Sequence, residues 1–107
     1  MKISKELLKG SLDVAVLAVL AEESLYGYEI AKRIKQLSNE LFMMGEGTLY
    51  PILHKLEAQH WVESYWQEVD GRKRKYYTLT KQGKKALQEK REEWNEFSAA
   101  VNTILSS

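Results

Sequence analysis

The chain has 107 residues, of which 44% are hydrophobic, and its formal net charge is +1. This length suits one domain with a modest core, and the balance of apolar and charged residues is not that of a disordered chain. The absence of cysteine excludes disulfides, thiolate metal sites and cysteine nucleophiles, and it favours a reducing, cytoplasmic location.

The first predicted helix spans residues 4–22, with Gly10 as a weak point near its start. Its C-terminal half is apolar almost all round, so we expect it to be the most buried element. The apolar run 14–21 follows several lysines and superficially resembles a secretion signal, but Glu6 and Asp13 interrupt the approach. The run is too short to cross a membrane, and we expect no membrane partner.

A second helix is predicted over about residues 26–38, after a short turn at residues 23–25. Its apolar residues have the spacing of one buried stripe, which consists of Ile30, Ile34, Leu37 and Leu41. The cations of this helix fall off the stripe and are expected to be solvated. They are Lys32, Arg33 and Lys35.

A third, shorter helix is predicted to begin near Thr48, a residue type that caps helices well. Pro51 would then occupy the third helical position, where its missing N–H costs little. Tyr50 and His54 are four residues apart and therefore share an outer face. The predicted buried stripe consists of Leu49, Leu53 and Leu56.

Two strands are predicted over residues 62–69 and 72–79, joined by Asp70-Gly71. This dipeptide is a strong signal for a type I′ turn, which needs positive φ at both positions. In the resulting register Glu68 faces Lys73, Trp66 faces Lys75, Tyr65 faces Tyr76 and Val62 faces Leu79. Residues 70–85 carry seven cations and one acid, so this segment is basic although the net charge of the chain is close to zero.

The final helix is predicted over residues 80–105, with Thr80 as its cap. Its apolar residues recur in a heptad-like pattern with one polar interruption, and they form a stripe of Leu87, Trp94, Phe97, Val101 and Ile104. A domain of roughly 75 residues cannot cover both sides of such a long helix. A second copy of the chain, in a two-fold dimer, is the economical partner.

The element order of three helices, a hairpin and a helix predicts a mainly α winged helix-turn-helix over residues 1–79. Residues 80–107 would add a dimerisation helix within one compact unit. In such domains the third helix enters the major groove of double-stranded DNA. The groove-facing candidates are Thr48, Tyr50, Pro51, His54 and Lys55. The phosphate-binding candidates are Lys32 and Arg33 in the second helix, with Arg72, Lys73, Arg74 and Lys75 in the hairpin.

The segments in this order resemble the PadR family of transcriptional regulators. The matching segments are 9–13 (KGSLD), 26–30 (YGYEI), 47–57 (GTLYPILHKLE) and 72–83 (RKRKYYTLTKQG). The resemblance implies a homodimeric repressor, and some family members respond to small aromatic molecules. The single helix after the hairpin resembles the short subgroup of the family. His60-Trp61 departs from the Gly and aliphatic residue that the family usually has there.

The predicted function is a homodimeric, DNA-binding repressor of a pseudo-palindromic operator. Trp94 is either an interface anchor or the wall of a cavity for a planar aromatic effector. Two rival interpretations are a winged helix used for protein contacts and a small-molecule carrier without DNA affinity. No enzyme, metal site or cofactor is expected, because His54 and His60 share no helix face and no catalytic motif is recognisable.

Overall fold

The computed structural model describes residues 3–8 and 10–107. In chain order its elements are α1 (Lys5–Leu8), α2 (Ser11–Glu22), β1 (Leu25–Tyr26), α3 (Gly27–Leu37), α4 (Glu46–Ala58), β2 (Val62–Val69), β3 (Arg72–Leu79) and α5 (Lys81–Leu105). The predicted fold class is confirmed: helices dominate, and a small antiparallel sheet forms the wing. The predicted second and third helices correspond to α3 and α4.

The predicted first helix is divided into α1 and α2 at Gly10. The backbone of Gly10 has φ 82°, a left-handed conformation that glycine adopts without the steric penalty of a Cβ. Lys9, part of the segment 9–13, lies outside the described residues. As predicted, α2 is the central element, and its buried side chains are Val16, Leu17, Val19 and Leu20.

The sheet has a third strand that the sequence pattern did not predict. Strand β1 pairs antiparallel with β3, with Leu25 opposite Tyr77 and Tyr26 opposite Tyr76, and the strand order is β1-β3-β2. The predicted structure for these residues is a turn and a helix start. A two-residue strand carries no periodicity of its own, so only its partner in β3 defines it.

The buried stripe predicted for α3 is half wrong. Ile30 and Ile34 are buried, but Leu37 is 72% and Leu41 is 41% exposed. Helix α3 ends at Leu37, and Asn39 and Glu40 then adopt positive φ values of 52° and 67°. The chain direction therefore changes before Leu41, and the helical spacing no longer applies.

Helix α4 begins three residues earlier than predicted, and Thr48, the predicted cap, lies within it. Gly45 precedes it and Glu46 is its first residue, so Pro51 lies inside the helix rather than in its first turn. Because Pro has no N–H, the carbonyl of Gly47 has no intrahelical donor. Gly47 is exposed, so water can solvate that carbonyl. The predicted buried stripe of α4 is confirmed, and it comprises Leu49, Leu53 and Leu56.

The C-terminus of α4 is closed by a left-handed residue. The His60 N–H donates to the Glu57 carbonyl at 2.9 Å, and the Trp61 N–H donates to the Leu56 carbonyl at 3.1 Å. These two bonds form a Schellman motif, whose left-handed position is usually glycine. Here it is His60, with φ 64°. The departure at His60 therefore places a side chain at a position where the left-handed backbone conformation favours glycine.

The hairpin agrees with its prediction in both boundaries and register. Asp70 and Gly71 have φ values of 52° and 77°, as a type I′ turn requires. Glu68 lies opposite Lys73, and Trp66 lies opposite Lys75. The root of the hairpin is buried at Val62, Tyr77 and Leu79, while its tip is exposed.

Helix α5 starts in close contact with the end of α4. The Gly83 N–H donates to the Thr80 hydroxyl at 2.9 Å, which confirms Thr80 as the cap, and that hydroxyl donates to the His60 carbonyl at 2.6 Å. The Thr80 N–H donates to the Trp61 carbonyl at 3.0 Å. A Cβ on Gly83 would lie 2.0 Å from the Trp61 carbonyl oxygen. Only glycine fits at this contact.

The remainder of α5 projects away from the core. Its buried residues are Gly83, Ala86 and Leu87, all near its start. The described chain measures 57 × 31 × 20 Å, since a helix of 25 residues is about 37 Å long. No helix among the described residues is both long enough and apolar enough to traverse a membrane.

Candidate nucleic-acid interface

The outer face of α4 carries the predicted groove-facing residues. Thr48, Pro51 and His54 are exposed, and Tyr50 is 36% exposed. The Tyr50 hydroxyl oxygen lies 2.8 Å from the position that a Cβ on Gly27 would occupy. Tyr50 is therefore partly exposed to solvent and partly packed against the start of α3.

Two of the predicted cationic contacts are already paired within the chain. Lys55 forms an ion pair with Asp13 of α2, and Arg33 donates to Glu23 at 2.8 Å. The Asp13 side chain is only 17% exposed, so the ammonium of Lys55 is held toward α2. In contrast, Lys32 is exposed and lines an open groove beside α3. The sequence predicted phosphate contacts for both Lys32 and Arg33, but their environments differ.

The four cations of the wing lie on two faces of the sheet. Residues that face each other across the strands share a face, and successive residues alternate. The register therefore places Lys73 and Lys75 on the face of the buried root, and it places Arg72 and Arg74 on the opposite face. Arg72 and Lys73 at the tip are exposed, whereas Arg74 and Lys75 are half-buried.

The half-buried cations rest on tyrosine rings. The guanidinium carbon of Arg74 lies 4.4 Å from the ring centroid of Tyr26, and the ammonium of Lys75 lies 5.7 Å from that of Tyr77. These contacts are within the range of cation–π interactions. They orient these two charges, whereas Arg72 and Lys73 at the tip are exposed.

A cleft of about 410 Å³ separates the start of α4 from the wing. Aromatic side chains and two cations line it: Tyr26, Tyr28, Tyr50, Trp66, Arg74 and Lys75. The sequence pattern identified Tyr50 and the cations but not Tyr26, Tyr28 or Trp66. Trp66 is 67% exposed. An aromatic residue in the middle of a charged hairpin is the sequence feature that could have identified it.

Tyr77 of β3, opposite Leu25, is buried in the core. Burial raises the pKa of its phenol above the usual 10.0, and the charges of Glu57 and then Tyr50 act in the same direction. Glu57 also accepts a hydrogen bond from the Ser64 hydroxyl at 3.1 Å. This hydrogen bond joins the C-terminal part of α4 to β2. Among the residues that the structure describes, no cluster of His, Asp and Glu could hold a metal ion.

Most of the predicted α5 stripe is exposed in the single chain. The exposed fractions are 52% for Trp94, 61% for Phe97, 37% for Val101 and 72% for Ile104. Leu87 requires a correction, because it is only 5% exposed and packs in the core of its own protomer. The exposed part of the stripe therefore begins at Trp94.

Trp94 also borders an apolar cavity of about 400 Å³. Residues of α1, α2 and the segment after α3 complete its wall, among them Leu7, Leu8, Val14, Leu41 and Phe42. The Trp94 ring lies 6.2 Å from that of Phe97, centroid to centroid. An apolar surface thus runs from α5 to the N-terminal helices.

Comparison with known proteins gives one consistent result. Residues 16–89 match the transcriptional regulator PadR-like family. The transcriptional regulator Rv3488 of Mycobacterium tuberculosis is 33% identical over 97 residues, which are 91% of this chain and 88% of that protein.

Solved structures agree with this match. A transcriptional regulator from Clostridium thermocellum is 34% identical with a TM-score of 0.85, over 92% of this chain and 97% of that one. A PadR family transcription regulator from Clostridium difficile is 35% identical with a TM-score of 0.79, over 90% of this chain and 99% of that one. These relatives are regulators of transcription rather than enzymes. The chain belongs to the PadR-like family of transcriptional regulators.

Proposed function

We propose that the chain is a homodimeric repressor that binds a pseudo-palindromic operator through α4 and the wing. The observation that carries this proposal is that both elements line one cleft, with Tyr50 on one side and Arg74 and Lys75 on the other. A helix of this width fits the major groove, and the cations suit the adjacent phosphates. The exposed stripe of α5 supports two copies at a fixed separation.

The roles of the cations differ within this proposal. Arg72 and Lys73 at the tip and Lys32 on α3 are exposed, so they can reach phosphates without losing an internal partner. Lys55 and Arg33 would first have to leave their carboxylates. We therefore assign the tip and Lys32 the larger share of the phosphate contacts.

The salt dependence of DNA binding tests the contribution of the wing as a whole. The double substitution Lys73→Gln and Arg74→Gln should weaken binding to the operator and to unrelated duplexes alike. Removing one cation from a phosphate lowers the slope of log affinity against log salt by about 1, so the slope should fall by up to about 2. Fluorescence anisotropy of labelled duplexes, drawn from the DNA flanking the gene, measures both quantities.

A charge-matched control separates local contacts from net charge. Lys85 and Arg91 of α5 are exposed and do not line the cleft, so Lys85→Gln with Arg91→Gln removes the same charge elsewhere. This variant should keep the wild-type slope. An equal fall in slope for both variants would contradict the assignment of the wing.

A planar aromatic effector is the second part of the proposal, and the cavity beside Trp94 supports it. Titrating the protein with planar aromatic compounds should change the tryptophan fluorescence, and the change should vanish in Trp94→Ala. A small-molecule carrier would give the same signal without any affinity for DNA. An unchanged spectrum across such compounds would remove the effector from the proposal.

A further inference from the structure

Trp66 is the largest exposed aromatic residue of the wing, and its position calls for a partner. It lies in the middle of β2, opposite Lys75, and is 67% exposed. Its neighbour Tyr65, on the other face of the strand, stacks on Tyr76 with ring centroids 5.7 Å apart. In the described part of the chain Trp66 forms no comparable aromatic pair. Apolar surface left in contact with water costs about 25 cal/mol per Å². A molecule that covers the exposed indole of Trp66 would therefore gain binding free energy.

The chemistry around Trp66 identifies that molecule. Trp66 and Tyr28 line the cleft together with Arg74, Lys75 and one carboxylate, that of Glu46, so aromatic rings and a net positive charge share one cavity. A DNA strand offers the complementary groups, because each charged phosphate is followed by a deoxyribose whose C–H groups are apolar. An uncharged aromatic compound would use the rings but bring no anion to the two cations, whose neighbours within the chain are tyrosine rings.

We infer that this cleft seats one backbone strand of duplex DNA, with Trp66 packed on a deoxyribose and Lys75 on the adjacent phosphate. The inference rests on the proposed function and adds a contact that involves no charge. Contacts to the sugar and phosphate position a protein on DNA but carry no base information. Trp66 should therefore strengthen binding to every duplex equally.

This role differs measurably from that of the cations. A phosphate contact releases counterions and therefore contributes to the salt slope. Contact between an indole and a sugar releases none, so its contribution is the same at low and high salt. Removing Trp66 should lower affinity without changing the slope, whereas removing Lys73 and Arg74 should change both.

The test compares Trp66→Ala with wild type by fluorescence anisotropy, on the operator and on a scrambled duplex, over a series of salt concentrations. We expect about 10-fold weaker binding to both duplexes, in line with the effects of aromatic contacts to nucleic acid, and an unchanged slope. Trp66→Phe should lose less than about 3-fold, because it keeps an aromatic face. The control Tyr65→Ala alters the adjacent residue on the opposite face and should change affinity less than about 2-fold.

A second readout reports on the location of Trp66 directly. The chain has three tryptophans, so a variant with Trp61→Phe and Trp94→Phe leaves Trp66 as the sole tryptophan fluorophore. Duplex DNA should shield its indole from acrylamide quenching. Circular dichroism confirms that each variant is folded before its affinity is compared.

The outcomes separate the inference from the proposed function. If wild type binds duplex DNA and Trp66→Ala binds equally well, or if the slope changes, the inference is wrong and the proposed function stands. Unchanged quenching in the presence of bound DNA would also overturn the inference. If wild type binds neither duplex, the proposed function fails and the inference fails with it.

Discussion

His60 has a backbone conformation that only glycine adopts without strain. Its φ is 64°, and an L-residue in this region costs about 1–2 kcal/mol. Glycine would remove this strain but would lose more backbone entropy on folding. We therefore expect His60→Gly to raise the free energy of unfolding by about 0.5–1 kcal/mol. Urea unfolding at a fixed protein concentration measures the change.

The matched control is the other histidine. His54 is an exposed residue inside α4, where glycine costs about 1 kcal/mol. His54→Gly should therefore lower the unfolding midpoint while His60→Gly raises it. Equal destabilisation by both substitutions would mean that the His60 backbone is not strained.

Tyr77 should make the fold sensitive to alkali. Burial raises the pKa of its phenol, so the folded state retains the proton more firmly than the unfolded state, where the pKa is about 10. The stabilisation is fully present below the unfolded pKa and is lost as the pH rises through the folded value. Tyr77→Phe should flatten the fall in unfolding midpoint between about pH 9.5 and 11. Tyr65→Phe, at an exposed position, should leave the fall unchanged.

At the scale of elements, Gly83 fixes the contact between α5 and the end of α4. A methyl group there would meet the Trp61 carbonyl oxygen at 2.0 Å and the Leu79 Cδ1 at 2.8 Å, and the nearer of these contacts is to backbone, which has little room to relax. Gly83→Ala should lower the free energy of unfolding by about 3 kcal/mol or more. The adjacent exposed residue supplies the control, since Gln82→Ala should change it by less than about 0.5 kcal/mol. A loss below about 1 kcal/mol for Gly83→Ala, measured by urea unfolding, would contradict the rigid contact.

Local signals explain which elements could be predicted from the sequence. Asp70-Gly71 specifies its turn, and that turn fixes the register of both flanking strands. Strand β1 has only two residues and depends on β3, so no local pattern predicts it. Leu37 is exposed although it is the last residue of α3, and Leu41 continued a regular spacing that the structure interrupts with the left-handed residues Asn39 and Glu40. Periodicity alone does not report where a helix ends.

Some features of the candidate site could likewise be predicted from the sequence, and others could not. The sequence predicted the exposed face of α4 and the basic wing, because residue type and spacing determine both. It did not predict the ion pair between Lys55 and Asp13 or the grouping of Tyr28 and Trp66 in one cleft. These contacts join residues distant in the chain, and only the folded arrangement of α2, α3, α4 and the sheet brings them together.

At the scale of the whole molecule, the exposed stripe of α5 predicts an obligate partner. Phe97 is 61% exposed within that stripe, so Phe97→Glu would place a charge at the proposed dimer interface. Sedimentation equilibrium should show monomers for this variant at micromolar concentrations. Its affinity for the operator should fall at least about 10-fold, because the two half-sites would then be bound by separate chains. Ala99→Glu introduces the same charge at an exposed position off the stripe and should remain dimeric. A dimeric Phe97→Glu variant would remove the stripe from the interface.

Hydroxyl-radical footprinting on the DNA flanking the gene tests most directly whether the chain is a dimeric DNA-binding regulator. Two copies of α4 and the wing should protect two half-sites of opposite orientation, centred about one helical turn, or roughly 34–36 Å, apart. The protection should disappear for Phe97→Glu at concentrations where Ala99→Glu still protects. A single protected patch, or uniform cleavage at protein concentrations that saturate binding, would contradict the proposed function.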